Sequence, residues 1–282
     1  AESVTTDQAM SPKPTHKIVV FVLRQVCFIC VVILQQIMLN YNHMKLINFL
    51  NLPVVSLTPQ ELPGQLHQWM EQGTWLVTLN AEMMLRAHRD PAYAQLLRQA
   101  DVLLPDGFGL MLWSRGLISD RFPGVELSES VLTHAQAEQK KITCLVAKNG
   151  LSSVQQVQQA ILTRWPKLQL TCLEVDPAQA PYAIPPSDVV LVNFGVPRQD
   201  EWLSWLKEQS LFKLGIGVGG TFDYWTTHAK RAPLFLRRLG LESLWRLVRQ
   251  PKRIVRIWNA VAVFSWVALW NKPQVASPTQ DW

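Results

Sequence analysis

The chain has 282 residues, of which 48% are hydrophobic and 17% charged, and its formal net charge is +6. This composition is ample for a buried core, so one large folded domain or two small ones are expected. The positive charge is concentrated between Lys230 and Arg256, which favours an acidic partner such as a phosphorylated substrate, an anionic lipid or a nucleic acid.

The first 43 residues are predicted to be a polar tail followed by a hydrophobic segment. In Ile18–Leu39, 18 of 22 residues are apolar, which is long enough for a membrane helix in which Arg24 snorkels. The alternative is an upstream extension that is not part of the working protein, with the next domain starting at Met44. Cys27 and Cys30 lie in this segment without a second pair, so a zinc or redox site is not expected there.

From residue 44 to 230 short apolar runs alternate with amphipathic stretches. This pattern predicts an α/β domain, Rossmann-like, with a mostly parallel sheet and helices on both faces. The predicted strands are Val54–Leu57, Trp75–Leu79, Val102–Leu104, Ile142–Ala147, Leu168–Val175, Val189–Phe194 and Leu214–Val218. The predicted helices are Pro59–Gln72, Ala81–Gln99, Phe108–Arg115, Glu129–Gln139, Ser152–Arg164 and Arg198–Glu208.

Ligands of such sheets bind at the carboxyl ends of the strands, so the residues just after each strand are the candidates for function. Thr78 and Asn80 could donate and accept hydrogen bonds to a sugar or nucleotide, although Asn80 could instead cap the next helix. Asp106 could act as a general base, although Pro105, Asp106 and Gly107 are also turn formers.

Gly215–Gly220 matches the pattern G-x-G-x-x-G, but it lies late in the sheet rather than after a first strand. A glycine-lined wall beside a ligand is therefore favoured over a dinucleotide site. The chain contains no P-loop motif, no H-E-x-x-H and no D-x-D, so arginines rather than a metal must neutralise any phosphate. Four of them, Arg246, Arg249, Arg253 and Arg256, fall within an arc of roughly 80° on an ideal helix.

Residues 231–270 are predicted to be a helical appendage that docks on a membrane. Pro251 would kink the basic helix or start a new one. Ile257–Trp270 follows with only two polar residues in fourteen, too short to span a bilayer but suited to an anionic membrane surface. The alternative is a helix packed on the core or in an oligomer interface. Residues 271–282 are predicted to be a loose tail.

Taken together, these motifs resemble the WecG/TagA/CpsF glycosyltransferase family from about Met44 to Trp270. The matching pieces are Thr78-x-Asn80-Ala81-Glu82, Pro105-Asp106-Gly107, Arg121-x-x-Gly124, Gly195-x-Pro197-Arg198-Gln199, Gly217-Val218-Gly219-Gly220-x-Phe222-Asp223, Lys230-Arg231-Ala232-Pro233 and Gly240-Leu241-Glu242-x-x-x-Arg246. Four positions depart from the family pattern: Glu126 stands for aspartate, Arg198 for lysine, Asp200 for glutamate and Ser243 for tryptophan.

The resemblance implies an inverting, metal-independent transferase that needs no cofactor. It would move an N-acetylmannosamine-type sugar from a UDP-sugar to an undecaprenyl-diphosphate-linked acceptor, in cell-surface polysaccharide or teichoic acid synthesis. Asp106 would be the catalytic base. The implied substrate-binding residues are Thr78, Asn80, Arg121, Gln199, Gly219, Gly220, Asp223, Arg231, Arg246, Arg253 and Arg256. The expected location is the cytoplasmic face of the cell membrane, and a homo-oligomer is left open.

Three other functions remain as alternatives. A nicotinamide-dependent oxidoreductase would use Gly215–Gly220, and a non-catalytic protein would bind the UDP-sugar or lipid without transfer. Nucleic-acid binding has only the basic charge in its favour, because no nucleic-acid motif occurs in the chain.

Overall fold

Nine strands form one sheet in the computed structural model, which describes residues 45–238, Glu242, Trp245 and residues 258–276. The strands are β1 (Lys45–Phe49), β2 (Leu52–Ser56), β3 (Thr74–Leu79), β4 (Val102–Pro105), β5 (Lys141–Ala147), β6 (Gln169–Val175), β7 (Ser187–Val192), β8 (Phe212–Gly217) and β9 (Gln274–Val275). Their order is β6-β5-β7-β8-β3-β4-β2-β1-β9. The pairs from β6 to β2 are parallel, and β1 pairs antiparallel with β2 and β9.

Helices precede or follow most of the parallel strands. They are α1 (Leu62–Gln72), α2 (Ala81–Arg89), α3 (Pro91–Arg98), α4 (Phe108–Trp113), α5 (Gly124–Ala137), α6 (Val154–Arg164), α7 (Arg198–Glu208), α8 (Thr221–Trp225) and α9 (Leu234–Arg238). A π-helical turn, Asn259–Val263, continues into α10 (Phe264–Trp270).

Helices cover both faces of the sheet. Trp75, Val77 and Leu79 of β3 belong to a core shared with buried residues of α2, α3 and α7. Leu76 is equally buried but lies on the opposite face, because successive strand residues alternate in direction. The buried residues of α1, α5 and α6 stay outside the first core, and α1 packs against α5. The predicted α/β class with a mostly parallel sheet is thus confirmed.

The long helix predicted over Ala81–Gln99 is two helices. Asp90 adopts an extended conformation, and its side chain accepts hydrogen bonds from the backbone N–H groups of Ala92 and Tyr93. Pro91 occupies the first turn of α3, where its missing N–H is harmless. The Asp90-Pro91 pair therefore ends one helix and starts the next, which the apolar periodicity alone did not show.

Strands β1 and β9 are absent from the sequence prediction. β1 joins β2 through a two-residue turn at Leu50 and Asn51, both with positive φ, as in a type I′ hairpin. Residues 271–282 were predicted to be loose, whereas Gln274 and Val275 pair with β1. β9 has only two residues, so its sequence carries no periodicity and only the tertiary pairing reveals it.

The C-terminal helix packs on the core through one face, as the second interpretation of its sequence predicted, and membrane docking stays a prediction. Phe264 and Ala268 are buried in the core, and the ring of Phe264 lies 5.9 Å from that of Phe49. The indoles of Trp266 and Trp270, by contrast, are 64% and 69% exposed. One face of α10 is therefore packed on the domain while the other remains open to solvent.

No helix among the described residues combines the length and hydropathy needed to cross a bilayer. The hydrophobic segment Ile18–Leu39 lies outside the described residues, as do Arg246, Arg249, Arg253 and Arg256. The described residues from Lys45 onward belong to one compact unit.

Candidate active site

Asp106 lies at the carboxyl edge of the sheet, directly after β4. Its backbone N–H donates to the carbonyl of Leu79 at 2.8 Å, which extends the parallel register of β3 and β4 by one residue. A Cβ at position 107 would lie 3.9 Å from the Cβ of Asn80, so the two strand ends are in close contact. The half-buried Asp106 carboxyl group is thus on the edge where sheets of this class bind ligands.

Asn80 caps α2. Its Oδ1 accepts hydrogen bonds from the backbone N–H groups of Glu82 and Met83, at 3.0 and 3.1 Å. The capping alternative is therefore correct for the side-chain oxygen. A substrate contact from Asn80, if one forms, would come from the amide nitrogen.

Thr78 lies where three segments converge. Its side chain is 8% exposed, and Oγ1 donates to the carbonyl of Gly217 at 3.5 Å. A Cβ at position 124 would lie 3.4 Å from Thr78 Oγ1 and 4.0 Å from Thr221 Oγ1. The ends of β3 and β8 and the start of α5 therefore meet here.

Gln199 supports the glycine loop that follows β8. A Cβ at position 217 would overlap Gln199 Nε2 and lie 2.7 Å from its Cδ, so the amide lies flat against the Gly217 backbone. Gln199 Oε1 accepts from the Gly219 N–H at 3.3 Å, and Gly219 has φ of +49°. Gln199 is 5% exposed, so in this structure it orders the loop at Gly219 and Gly220.

Gly215 and Gly217 lie inside β8 rather than at the start of a helix. The helix after them, α8, has five residues. A dinucleotide fingerprint needs its glycines in the turn that opens a long helix. This geometry disfavours the oxidoreductase alternative.

Asp223 connects the glycine loop to the segment after β5. Its Oδ1 accepts from Ser152 Oγ at 2.8 Å, and Ser152 Oγ also lies 2.6 Å from Thr226 Oγ1. Ser152 is buried. The hydroxyl was not singled out from the sequence, because its contact partner is 71 residues away and no local pattern links the two.

Two of the predicted substrate-binding arginines, Arg121 and Arg231, contact protein groups in this structure. Arg231 Nη2 contacts Glu126 Oε2 at 2.5 Å, and Arg237 Nη1 contacts Glu126 Oε1 at 2.9 Å. Arg121 Nη2 donates to the backbone carbonyl of Arg237 at 2.8 Å. Glu126 thus holds the guanidinium groups of Arg231 and Arg237, a role that its sequence position, in the first turn of α5, did not reveal.

A model of the WecG/TagA/CpsF glycosyl transferase family matches residues 47–277, which is most of the chain. The chain belongs to this family. Among its relatives are the N-acetylglucosaminyldiphosphoundecaprenol N-acetyl-beta-D-mannosaminyltransferases of Staphylococcus aureus strains MRSA252 and MW2. Each is 29% identical over 199 residues, which cover 67% of this chain and 77% of the relative.

The residues that the family model matches include every motif around the candidate site. Thr78, Asn80, Asp106, Gln199 and the glycine loop lie at the carboxyl ends of the strands, and their contacts with substrate stay predictions. Arg246, Arg253 and Arg256, which the family pattern brings to the diphosphate, lie outside the described residues. Their roles remain predictions.

Asp200 and Tyr93 form a buried polar pair behind Gln199. The Tyr93 hydroxyl donates to Asp200 Oδ2 at 2.7 Å, while Oδ1 is buried without a hydrogen-bond partner among the described residues. Burial raises the pKa of Asp200 to about 7, against the opposing effect of the Tyr93 hydrogen bond. Burial, and then the Asp200 charge, raise the pKa of Tyr93 far above its ordinary value. The pair anchors α3 to the first turn of α7.

Substituting Gly217 with alanine should damage both the fold and the site. The new methyl group would overlap the buried Gln199 side chain, which must leave its position and release the Gly219 N–H. We expect a loss of roughly 1–3 kcal/mol in the free energy of unfolding, measured by urea denaturation, and reduced transfer activity.

The matched control is Gly64→Ala in α1, where an added Cβ has no neighbour within 4 Å. It should stabilise by about 0.5–1 kcal/mol, because alanine loses less entropy than glycine in a helix. Adding Gln199→Ala to Gly217→Ala should recover stability but not activity. If Gly217→Ala destabilises the protein equally with the Gln199 side chain present and with Gln199→Ala, the overlap between the two groups is not the cause.

Proposed function

We propose that this hexosyltransferase moves an N-acetylmannosamine-type sugar from a UDP-sugar to an undecaprenyl-diphosphate-linked acceptor sugar. The observation that carries the proposal is the position of Asp106, whose backbone joins β3 and β4 at the ligand-binding edge, beside Asn80. The relatives' names support the chemistry of both substrates, since they state transfer of N-acetylmannosamine to N-acetylglucosaminyl-diphosphoundecaprenol. The product would be a lipid-linked precursor of teichoic acid or another surface polysaccharide.

In the proposed mechanism Asp106 is the general base. Its carboxylate takes the proton from the acceptor hydroxyl as that oxygen attacks the anomeric carbon of the donor. The bond between the anomeric carbon and the phosphate oxygen breaks, and UDP leaves with the electron pair. Attack from the side opposite to UDP inverts the configuration of the sugar.

Arginines rather than a metal would stabilise the charge on the departing UDP, in keeping with the absence of D-x-D from the sequence. Arg246, Arg253 and Arg256 are the proposed donors to the diphosphate. Donors placed in advance at a developing charge lower the barrier, and loss of one such donor typically costs about 3–4 kcal/mol. Arg121 and Arg231, which contact protein groups in the described structure, would bind substrate through their remaining N–H groups or by exchanging those contacts.

We also propose that the C-terminal helix docks on the cytoplasmic face of the membrane, where UDP-sugars are available. Three exposed tryptophans support this, because indole rings favour the headgroup region of a bilayer and Trp258, Trp266 and Trp270 are each at least 64% exposed. The neighbouring basic residues would add attraction to anionic lipid.

The double substitution Trp266→Ala/Trp270→Ala should reduce flotation of the protein with vesicles that contain anionic lipid. It leaves the buried Phe264 and Ala268 in place, so the fold should persist, as circular dichroism can check. The control is Leu151→Ala, an exposed apolar residue in the loop after β5. Flotation that is the same for both variants would contradict membrane docking by α10.

The decisive experiment measures UDP release from a panel of UDP-sugars, with and without a lipid-diphosphate acceptor. Acceptor-dependent release from UDP-N-acetylmannosamine is the expected result. Binding of the UDP-sugar without release would instead support a non-catalytic binder. Fluorescence titration with a nicotinamide dinucleotide tests the oxidoreductase alternative in the same preparation.

A further inference from the structure

Two histidine–glutamate pairs face each other near the amino ends of the parallel strands, whereas Asp106 lies at the carboxyl ends. His67 and Glu71 lie one turn apart on α1, and His134 and Glu138 lie one turn apart at the end of α5. These helix ends precede β3 and β5, so the cluster is at the amino end of the parallel strands. No motif used in the proposed transfer includes any of these residues.

The nitrogen atoms of both imidazoles converge on one carboxylate oxygen. Glu138 Oε1 is 2.9 Å from His67 Nδ1 and 3.0 Å from His134 Nε2. The ligand atoms of the three residues all lie within 4.8 Å of one another. The two rings meet edge to face, with centroids 5.9 Å apart.

Hydrogen bonding accounts for only one of these two contacts. His67 Nδ1 is within hydrogen-bond geometry of Glu138. His134 Nε2 is buried and, among the described residues, has no aligned hydrogen-bond partner, although the carboxylate oxygen is only 3.0 Å away. Burying a polar nitrogen without a partner is unfavourable. A short contact without hydrogen-bond alignment is the arrangement expected of two atoms that ligate the same ion.

We propose that His67, His134 and Glu138 form a zinc site that fastens α1 to α5. Two imidazoles and one carboxylate are an established ligand set for Zn²⁺, with water in the fourth position. Zinc–ligand bonds of about 2.0–2.1 Å in tetrahedral geometry place ligand atoms about 3.3 Å apart. The observed 2.9 and 3.0 Å would widen by a few tenths of an ångström, and the two histidine nitrogens, which lie within 4.8 Å of each other, would take up the same spacing.

The charges around the cluster are compatible with a cation. Lys140 contacts Glu71 Oε1 closely and is 3.7 Å from Glu138 Oε2, the oxygen that faces away from the two histidines' nitrogens. With neutral imidazoles, two carboxylates and one ammonium leave the cluster with one net negative charge. Because the site is on the sheet edge away from Asp106, the ion would stabilise the fold without taking part in transfer.

The test uses the full chain without a polyhistidine tag, carrying Cys27→Ser/Cys30→Ser so that this pair cannot bind zinc. Competition with a chromophoric zinc indicator should show one equivalent of bound Zn²⁺. His67→Gln and His134→Gln should each weaken binding at least about tenfold, since loss of even an outer-shell partner costs about 10–100-fold. The matched control, His88→Gln, alters an exposed histidine on α2 and should bind zinc normally.

Thermal unfolding gives a second measurement. Saturating Zn²⁺ should raise the melting temperature by on the order of 5 °C, and this increase should vanish in both histidine variants. Melting without zinc checks that the variants are folded. Absence of stoichiometric zinc binding, or equal weakening by His88→Gln, would overturn the proposal.

Discussion

Asp106→Asn should lower turnover by about 10²–10⁴-fold, because the amide cannot take the proton from the acceptor hydroxyl. Binding of UDP should be nearly unchanged, since asparagine has almost the same shape and the backbone N–H of residue 106 still donates to Leu79. The loss should therefore appear in kcat rather than in KM for the donor. Steady-state UDP release and calorimetric titration with UDP measure the two effects separately.

Asp188→Asn is the matched control for this experiment. Asp188 lies at the start of β7, on the opposite edge, where its carboxylate accepts from the Lys141 N–H at 2.7 Å. Asparagine can accept the same hydrogen bond, so activity should be retained. Wild-type turnover in Asp106→Asn would remove the general base from the mechanism. Loss of UDP binding together with activity would indicate a structural role for this carboxylate instead.

The second large effect concerns pH and Asp200. Because burial raises its pKa from 3.8 to about 7, the native state holds a proton that the unfolded state releases between these values. The contribution to stability is therefore complete below about pH 4 and is lost as the pH rises to about 7. A tenfold difference in proton affinity between the two states corresponds to about 1.4 kcal/mol, so the free energy of unfolding should fall by roughly 2–4 kcal/mol from this group.

Asp200→Asn removes this titration while retaining an acceptor for the Tyr93 hydroxyl. Measured by urea denaturation, the stability of the variant relative to wild type should increase by roughly 2–4 kcal/mol between pH 4 and pH 8. The stability of Tyr93→Phe relative to wild type should instead decrease as the pH rises, because the ionised carboxylate then loses its only donor among the described residues. Parallel stability curves for wild type and Asp200→Asn would contradict a raised pKa.

The sequence predicted the parallel strands because each buries an apolar run. Residues Val189–Val192, for example, are fully buried in β7. It also located Thr78, Asn80 and Asp106 at the carboxyl ends of the parallel strands, where such sheets bind ligands. β9 was missed because it has only two residues and pairs with a strand more than 200 residues earlier in the chain. β1 was missed because its turn to β2, Leu50-Asn51, lacks the glycine that usually signals a two-residue hairpin.

The sequence did not predict which residues far apart in the chain are in contact. Nothing local indicates that Glu126 holds Arg231 and Arg237, more than 100 residues later in the chain. The same holds for Tyr93 and Asp200, and for His67 and His134. These contacts depend on how the helices, and the loop that carries Arg231, pack together, and such packing is determined by side-chain shape over the whole interface rather than by spacing along the chain.

The sequence by itself determined the α/β class, the family and the residues at the strand ends, because apolar periodicity and ordered motifs are local properties. Only the tertiary structure decided which side-chain atoms are engaged. Asn80 caps a helix, Gln199 orders the Gly219 backbone and Arg231 pairs with Glu126. These outcomes depend on distances between segments far apart in the chain, which are set when the helices pack on the two faces of the sheet.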